Sequence, residues 1–113
     1  MATTDSMLKD RFAGGLLGLA VGDALGGRFE GQRAKAIRDR VGTVRGLINY
    51  PRDEIWYTDD TQMAIGVAET LVAEGEILEE TLRRAFVANY DPSRGYGRGA
   101  RVVLEAMEQG RDH

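Results

Sequence analysis

An all-α fold is the prediction for this chain, and three observations carry it. Apolar residues recur at helical spacing over 7–25, 63–72 and 78–90. Strong breakers separate these stretches, namely Gly75 and the cluster of Pro92, Gly95 and Gly97. The one segment rich in β-branched residues, 41–50, is interrupted by Gly42 and Gly46, which argues against a long strand. The 113 residues suffice for one small domain. A chain of this size buries somewhat less than about two thirds of its unfolded surface, so a core forms but a deep cleft is hard to enclose.

The first helix is expected after a short polar lead, capped by Asp5 or Ser6 and running through Met7, Leu8, Phe12, Leu16, Leu17, Ala20, Val21, Ala24 and Leu25. Gly14, Gly18, Gly22 and Gly26 fall four residues apart on one of its faces. Glycine weakens a helix interior by about 1 kcal/mol relative to alanine, so such a ladder predicts a groove where another helix or a ligand meets the backbone. Residues 31–40 read as a short exposed helix, and 41–50 as an irregular connection with at most a short extended piece. A helix beginning near Thr58 is predicted to bury Met63, Ile65, Val67, Ala68, Leu71 and Val72 and to stop at Gly75. The next, from Ile77–Glu79 to Tyr90, directs Leu78, Leu82, Ala85, Phe86 and Tyr90 inward. The turn between these two is short, so they should pack antiparallel. Asp91 to Gly97 is a turn, and a last helix over about 98–109 packs through Val102, Val103, Ala106 and Met107 and ends at Gly110.

A net charge of −3 argues against a general nucleic-acid or membrane-surface binder. Charge is uneven, since Arg28, Arg33, Lys35, Arg38, Arg40, Arg45 and Arg52 face only Glu30 and Asp39 within 28–52. That stretch reads as a solvated face rather than a ligand site, although it could attract an anionic substrate. The absence of cysteine excludes disulfide and thiolate chemistry and fits a cytoplasmic setting. The single histidine, His113, is the last residue, so histidine acid-base catalysis is not expected. The opening residues lack the basic start of a signal peptide. The run from Phe12 to Val21 is far short of the roughly 20 apolar residues that span a bilayer.

Thr58-Asp59-Asp60-Thr61 sets two adjacent carboxylates between two hydroxyls at a helix start. Helix capping explains this group by itself, as Thr and Asp are common N-cap residues. The same atoms suit a hard divalent cation, which prefers carboxylate, hydroxyl and water oxygens. Gly22-Asp23-Ala24-Leu25-Gly26 places another carboxylate among glycines, readable as a cap or an internal acceptor. Gly95-Tyr96-Gly97-Arg98-Gly99, with Arg94 and Arg101 nearby, is similar to a phosphate-cradling loop. Its spacing matches neither the P-loop nor the dinucleotide fingerprint, so a plain turn is preferred.

In order and spacing, the segment from Phe12 to Gly26, then Glu30, then Trp56 to Met63, then Arg94-Gly95-Tyr96-Gly97, resembles the start of the ADP-ribosylglycohydrolase family. The resemblance extends over nearly the whole chain after residue 11. It implies an all-α orthogonal helical bundle, of which this chain supplies about four to five helices. It also implies a binuclear Mg²⁺ centre, or Mn²⁺ in its place, that hydrolyses the bond between ADP-ribose and a protein side chain or related acceptor. Carried over by position, Thr58, Asp59 and Asp60 look like the first group of metal ligands, with Asp59, Asp60 and Glu30 as the catalytic carboxylates. Asp23 would support the site from behind.

Family members are typically about twice this length or more and complete the metal site with a second Asp-x-Asp-Thr group. No Asp-x-Asp occurs here. Residues 1–113 are accordingly expected to be a single domain or the N-terminal portion of one, completed by a missing C-terminal half or a second chain. The expected partner is ADP-ribose or an ADP-ribosylated protein, with no nucleic acid and no membrane. The alternative is a catalytically inactive helical module that binds ADP-ribose or a protein partner.

Overall fold

The computed structural model describes residues 4–51 and 55–110. Arg52 of the basic stretch and His113 therefore lie outside the described residues. Among the described residues every regular element is helical, in the order α1 (Thr4–Gly26), α2 (Ala34–Val41), α3 (Val44–Ile48), α4 (Asp59–Glu74), α5 (Glu79–Asn89) and α6 (Arg98–Glu108). Short 3-10 turns at Gly27–Phe29 and Pro92–Arg94 join them. The all-α expectation holds, with one helix more than the upper expectation of five. Internal contacts divide the chain into two compact units, Met1–Tyr57 and Thr58–His113.

In the first unit α1 follows the predicted spacing, but none of its residues is buried. Phe12 is 69% exposed and Leu17 66%. A Cβ added at Gly14, Gly18, Gly22 or Gly26 would meet nothing within 4 Å, so no close approach fills the glycine face among the described residues.

The unit's one buried aromatic, Phe29, meets Tyr50 edge to face at 5.6 Å between ring centres. The Arg28 guanidinium lies 4.5 Å over Tyr50, and that of Arg40 lies 5.1 Å over Phe29. Arg40 also donates to the Tyr50 hydroxyl at 2.8 Å and to the Gln32 amide oxygen at 3.1 Å, while Arg28 donates to the Pro51 carbonyl. Half-buried Arg28 departs from the reading of the basic stretch as a solvated face, whereas Arg40 contacts the same rings while remaining exposed. Lys35, exposed and paired with Asp39 at 2.9 Å, fits that reading.

Residues 44–48 are helical where an irregular connection was expected. Local chemistry overrides the β-branched composition. Gly42 turns the chain at φ +71°, and the Thr43 hydroxyl accepts from the Gly46 amide at 3.1 Å as an N-cap. Gly46 is required there, because a Cβ would collide with the Val41 carbonyl oxygen.

In the second unit α4 and α5 form an antiparallel pair, as predicted. Pairings run in opposite senses along the two helices: Thr81 donates to Glu74 at 3.0 Å, Phe86 lies on Gly66, and the Asp91 amide reaches Gln62. The face α4 buries is nevertheless not the apolar one. Thr61, Gln62, Gly66 and Thr70 are its buried residues, whereas Ile65, Val67, Leu71 and Val72 are exposed, Val72 by 87%. The buried stripe of positions 58, 62, 66 and 70 has its own i, i+4 period, made of small or hydrogen-bonded residues. Thr70 is fully buried because its hydroxyl donates back to the Gly66 carbonyl at 2.9 Å. Gly66 lets the Phe86 ring come so close that a Cβ would lie 2.7 Å from it.

On α6 the buried residues are Leu104 and Ala106. Ala106 is buried as expected, whereas Val102 and Val103 are exposed by 55% and 36% and Leu104 is buried in addition. Gly75 and Gly110 follow α4 and α6 with φ of +75°, the left-handed conformation that closes a helix, as their positions predicted.

Candidate functional site

Extended backbone at Thr58, with φ −110° and ψ −166°, makes it the N-cap residue of α4 and sets Asp59 and Asp60 in the first turn. Thr58 is buried but its side chain makes no capping hydrogen bond. Simple capping by the threonine hydroxyl is thus not what places it there. Asp59 is half-buried and its Oδ1 accepts from the Asp60 amide at 3.1 Å. Asp60 is exposed.

The structure therefore brings Thr58, Asp59 and Asp60 together on one helix start. Glu30 and Asp23 belong to the first unit. Glu30 is exposed and follows the 3-10 turn, donating its amide to the Gly27 carbonyl at 3.1 Å. Asp23 is half-buried near the end of α1.

The donor set at 58–60 fits a hard cation in kind, with two carboxylates and one hydroxyl within a turn. Among the described residues no group of three or more histidine, cysteine, aspartate or glutamate side chains is placed to hold a metal ion.

Sequence reasoning missed the residue that ties this helix start to the rest of the unit. Gln62, 5% exposed, accepts two hydrogen bonds on its Oε1: from the Asp91 amide at 2.9 Å and from the Tyr96 hydroxyl at 2.6 Å. Its own amide donates to the Thr58 carbonyl at 3.2 Å. The available signal was its spacing, because Gln62 is one turn beyond Thr58 on the same face.

The segment it holds, 91–97, is a turn, as expected. Asp91 Oδ1 accepts from the Ser93 amide at 3.0 Å and the Ser93 hydroxyl at 2.7 Å. The hydroxyl, then the amide, holds the Asp91 carboxyl below its usual range, and the nearby Arg94 charge acts the same way. Arg94 Nε stands 3.7 Å from the other Asp91 oxygen. Tyr96 is buried against Tyr90, edge to face at 4.9 Å, and is not turned out toward a ligand. Burial raises the Tyr90 phenol above its usual value, reinforced by its hydrogen bond to Glu105 at 3.2 Å.

Fold and helix start together define a class: all-α proteins that present adjacent carboxylates in the first turn of a helix. The chain belongs to the ADP-ribosylglycohydrolase family, whose model matches residues 4–113. Among its relatives, the ADP-ribosylhydrolase ARH3 of Gallus gallus is 35% identical over 109 residues, covering 86% of this chain and 30% of the relative. ARH3 of Danio rerio is 32% identical over 105 residues, covering 89% of this chain and 28% of the relative. The ADP-ribosylarginine hydrolase Tri1 of Pseudomonas putida (strain GB-1) is 37% identical over 89 residues, covering 77% of this chain and 23% of the relative. The chain thus spans less than a third of the length of these relatives. No solved structure gives a significant match.

Proposed function

We propose that the chain belongs to a Mg²⁺-dependent hydrolase that removes ADP-ribose from modified protein side chains or related ADP-ribosyl compounds, and that it supplies the first half of a binuclear metal site. The observation that carries this reading is Thr58, Asp59 and Asp60 gathered at the start of α4, in a family whose relatives are named as ADP-ribosylhydrolases. Asp59, Asp60 and the Thr58 hydroxyl would hold the cation.

When bound, Mg²⁺, or Mn²⁺ in its place, supplies a Lewis acid for ribose hydroxyls and for a water that must act as a nucleophile at neutral pH. The chain's own carboxylates do the rest. Hydrolysis joins the water oxygen to the anomeric carbon while the bond to the acceptor breaks, through a state with positive charge on the sugar. A carboxylate takes the water's proton, and a proton returns to the leaving acceptor. Asp59 or Asp60, when not fully occupied as a ligand, is the first candidate for that base, with Glu30 as the second. Ionised aspartates also stabilise the developing positive charge.

The test is release of ADP-ribose from an ADP-ribosylated protein with Mg²⁺ present and after its removal by chelation. This reading expects release that stops on chelation and returns with Mg²⁺. Release indifferent to chelation overturns the metal assignment.

A second reading, a helical module that binds ADP-ribose without turnover, draws support from the incomplete ligand group among the described residues. Calorimetric titration with ADP-ribose separates the two. Binding heat without product favours the module.

A further inference from the structure

The amide oxygen of Gln62 accepts at once from a main-chain amide of the 91–97 turn and from the buried Tyr96 hydroxyl, while the Gln62 backbone closes the first turn of α4 onto Thr58. We propose that Gln62 is a positioning residue: it locks the 91–97 turn to the first turn of α4 and so fixes the helix start that carries Thr58, Asp59 and Asp60. This inference rests on the metal-dependent reading given above.

Gln62 and Tyr96 are 5% and 7% exposed, so water is poorly placed to replace either bond. A buried donor that loses its acceptor carries the full cost of its desolvation, and the chain relaxes to recover a partner. Two donors on the turn share this one acceptor, so both would be released together. The Tyr96 ring, held edge to face on Tyr90, stiffens the turn side of the link. On the helix side Gln62 lies within one turn of all three candidate ligands, so a shift that re-pairs its partners moves the ligand oxygens too. Coordination geometry is sensitive at this scale, because Mg²⁺ demands nearly ideal octahedral placement of its oxygens.

Three variants test it in the isotope-labelled protein. Gln62→Met keeps the side-chain volume and removes the acceptor, Gln62→Glu keeps an acceptor for both bonds, and Tyr96→Phe removes one donor only. The first readout is hydrogen exchange of the Asp91 amide. The second is a Mg²⁺ titration followed at the Asp59 and Asp60 amides.

Gln62→Met is expected to speed Asp91 exchange and to weaken the Mg²⁺ response several-fold, with Gln62→Glu restoring protection and Tyr96→Phe falling between. Where turnover is measurable, kcat falls in Gln62→Met while KM stays within a factor of two. A merely structural role would not produce that split or its rescue. A Mg²⁺ response in Gln62→Met equal to the wild-type response overturns the inference and leaves the hydrolase reading standing. Wild-type Asp59 and Asp60 amides that ignore Mg²⁺ overturn the metal reading itself, and the inference with it.

Discussion

Asp91 shows how single side chains tune this unit. Its carboxyl is held below the usual value of 3.8 by the Ser93 hydroxyl and amide and by the Arg94 charge. A folded-state value below the unfolded one means that the ionised form is stabilised by folding. The contribution is complete above the unfolded value and is lost as pH falls through the lowered folded one. Wild type should therefore exceed Asp91→Asn in stability above about pH 5, and the gap should close as pH falls through the lowered folded value. Equal acid profiles would show that the Ser93 bonds contribute nothing to folding. Gly66 makes the steric counterpart. A Cβ there would lie 2.7 Å from the Phe86 ring, so Gly66→Ala should cost about 1–3 kcal/mol in chemical denaturation, the usual range for overpacking. A variant as stable as wild type would mean that the ring moves aside freely.

At the scale of elements, α4 separates what the sequence could reveal from what it could not. Its limits were legible, because Thr58 and Gly75 carry the start and stop chemistry of a helix in their residue types. Gly75 sits at φ +75°, and Gly75→Ala should destabilise by about 1–2 kcal/mol in the same denaturation measurement, the cost of a side chain in that region. The buried face of α4 was not legible. Hydropathy points to Ile65, Val67, Leu71 and Val72, but the neighbours actually present, α5 and the 91–97 turn, take the stripe of Gln62, Gly66 and Thr70. Which face a helix turns inward depends on what lies opposite, and that is a property of other segments. The same limit hid Leu104 on α6 and the Gln62 link, whose partners are 29 and 34 residues away. Helix α3 failed differently, as a five-residue element set by one cap and one glycine is weaker than the composition around it. The candidate site was legible as a motif at 58–60, and its meeting with Glu30 and Asp23 was a matter of resemblance alone.

For the whole molecule the dominant feature is apolar surface. Phe12, Leu17 and Val21 on α1 are 69%, 66% and 56% exposed, and Val72 on α4 is 87% exposed. No helix among the described residues is long and apolar enough to cross a membrane. Monomeric soluble domains rarely leave contiguous apolar patches larger than a few hundred Å² uncovered. The isolated 113 residues are thus expected to bind a hydrophobic dye strongly and to associate as concentration rises in light scattering. A dye-silent monomer at high concentration would contradict this. These exposed faces occur in a chain that aligns with less than a third of its relatives' length.

Under the proposed function, the carboxylates at the start of α4 serve Mg²⁺-dependent removal of ADP-ribose. The direct measurement is the rate of ADP-ribose release from a modified protein substrate by the full-length wild type, Asp59→Ala and Asp60→Ala, with Mg²⁺ saturating and folding checked by circular dichroism. Loss of a positioned acid-base group typically costs about a hundredfold or more, and a fall of that size in each folded variant is the predicted result. Release at the wild-type rate in both would contradict the account.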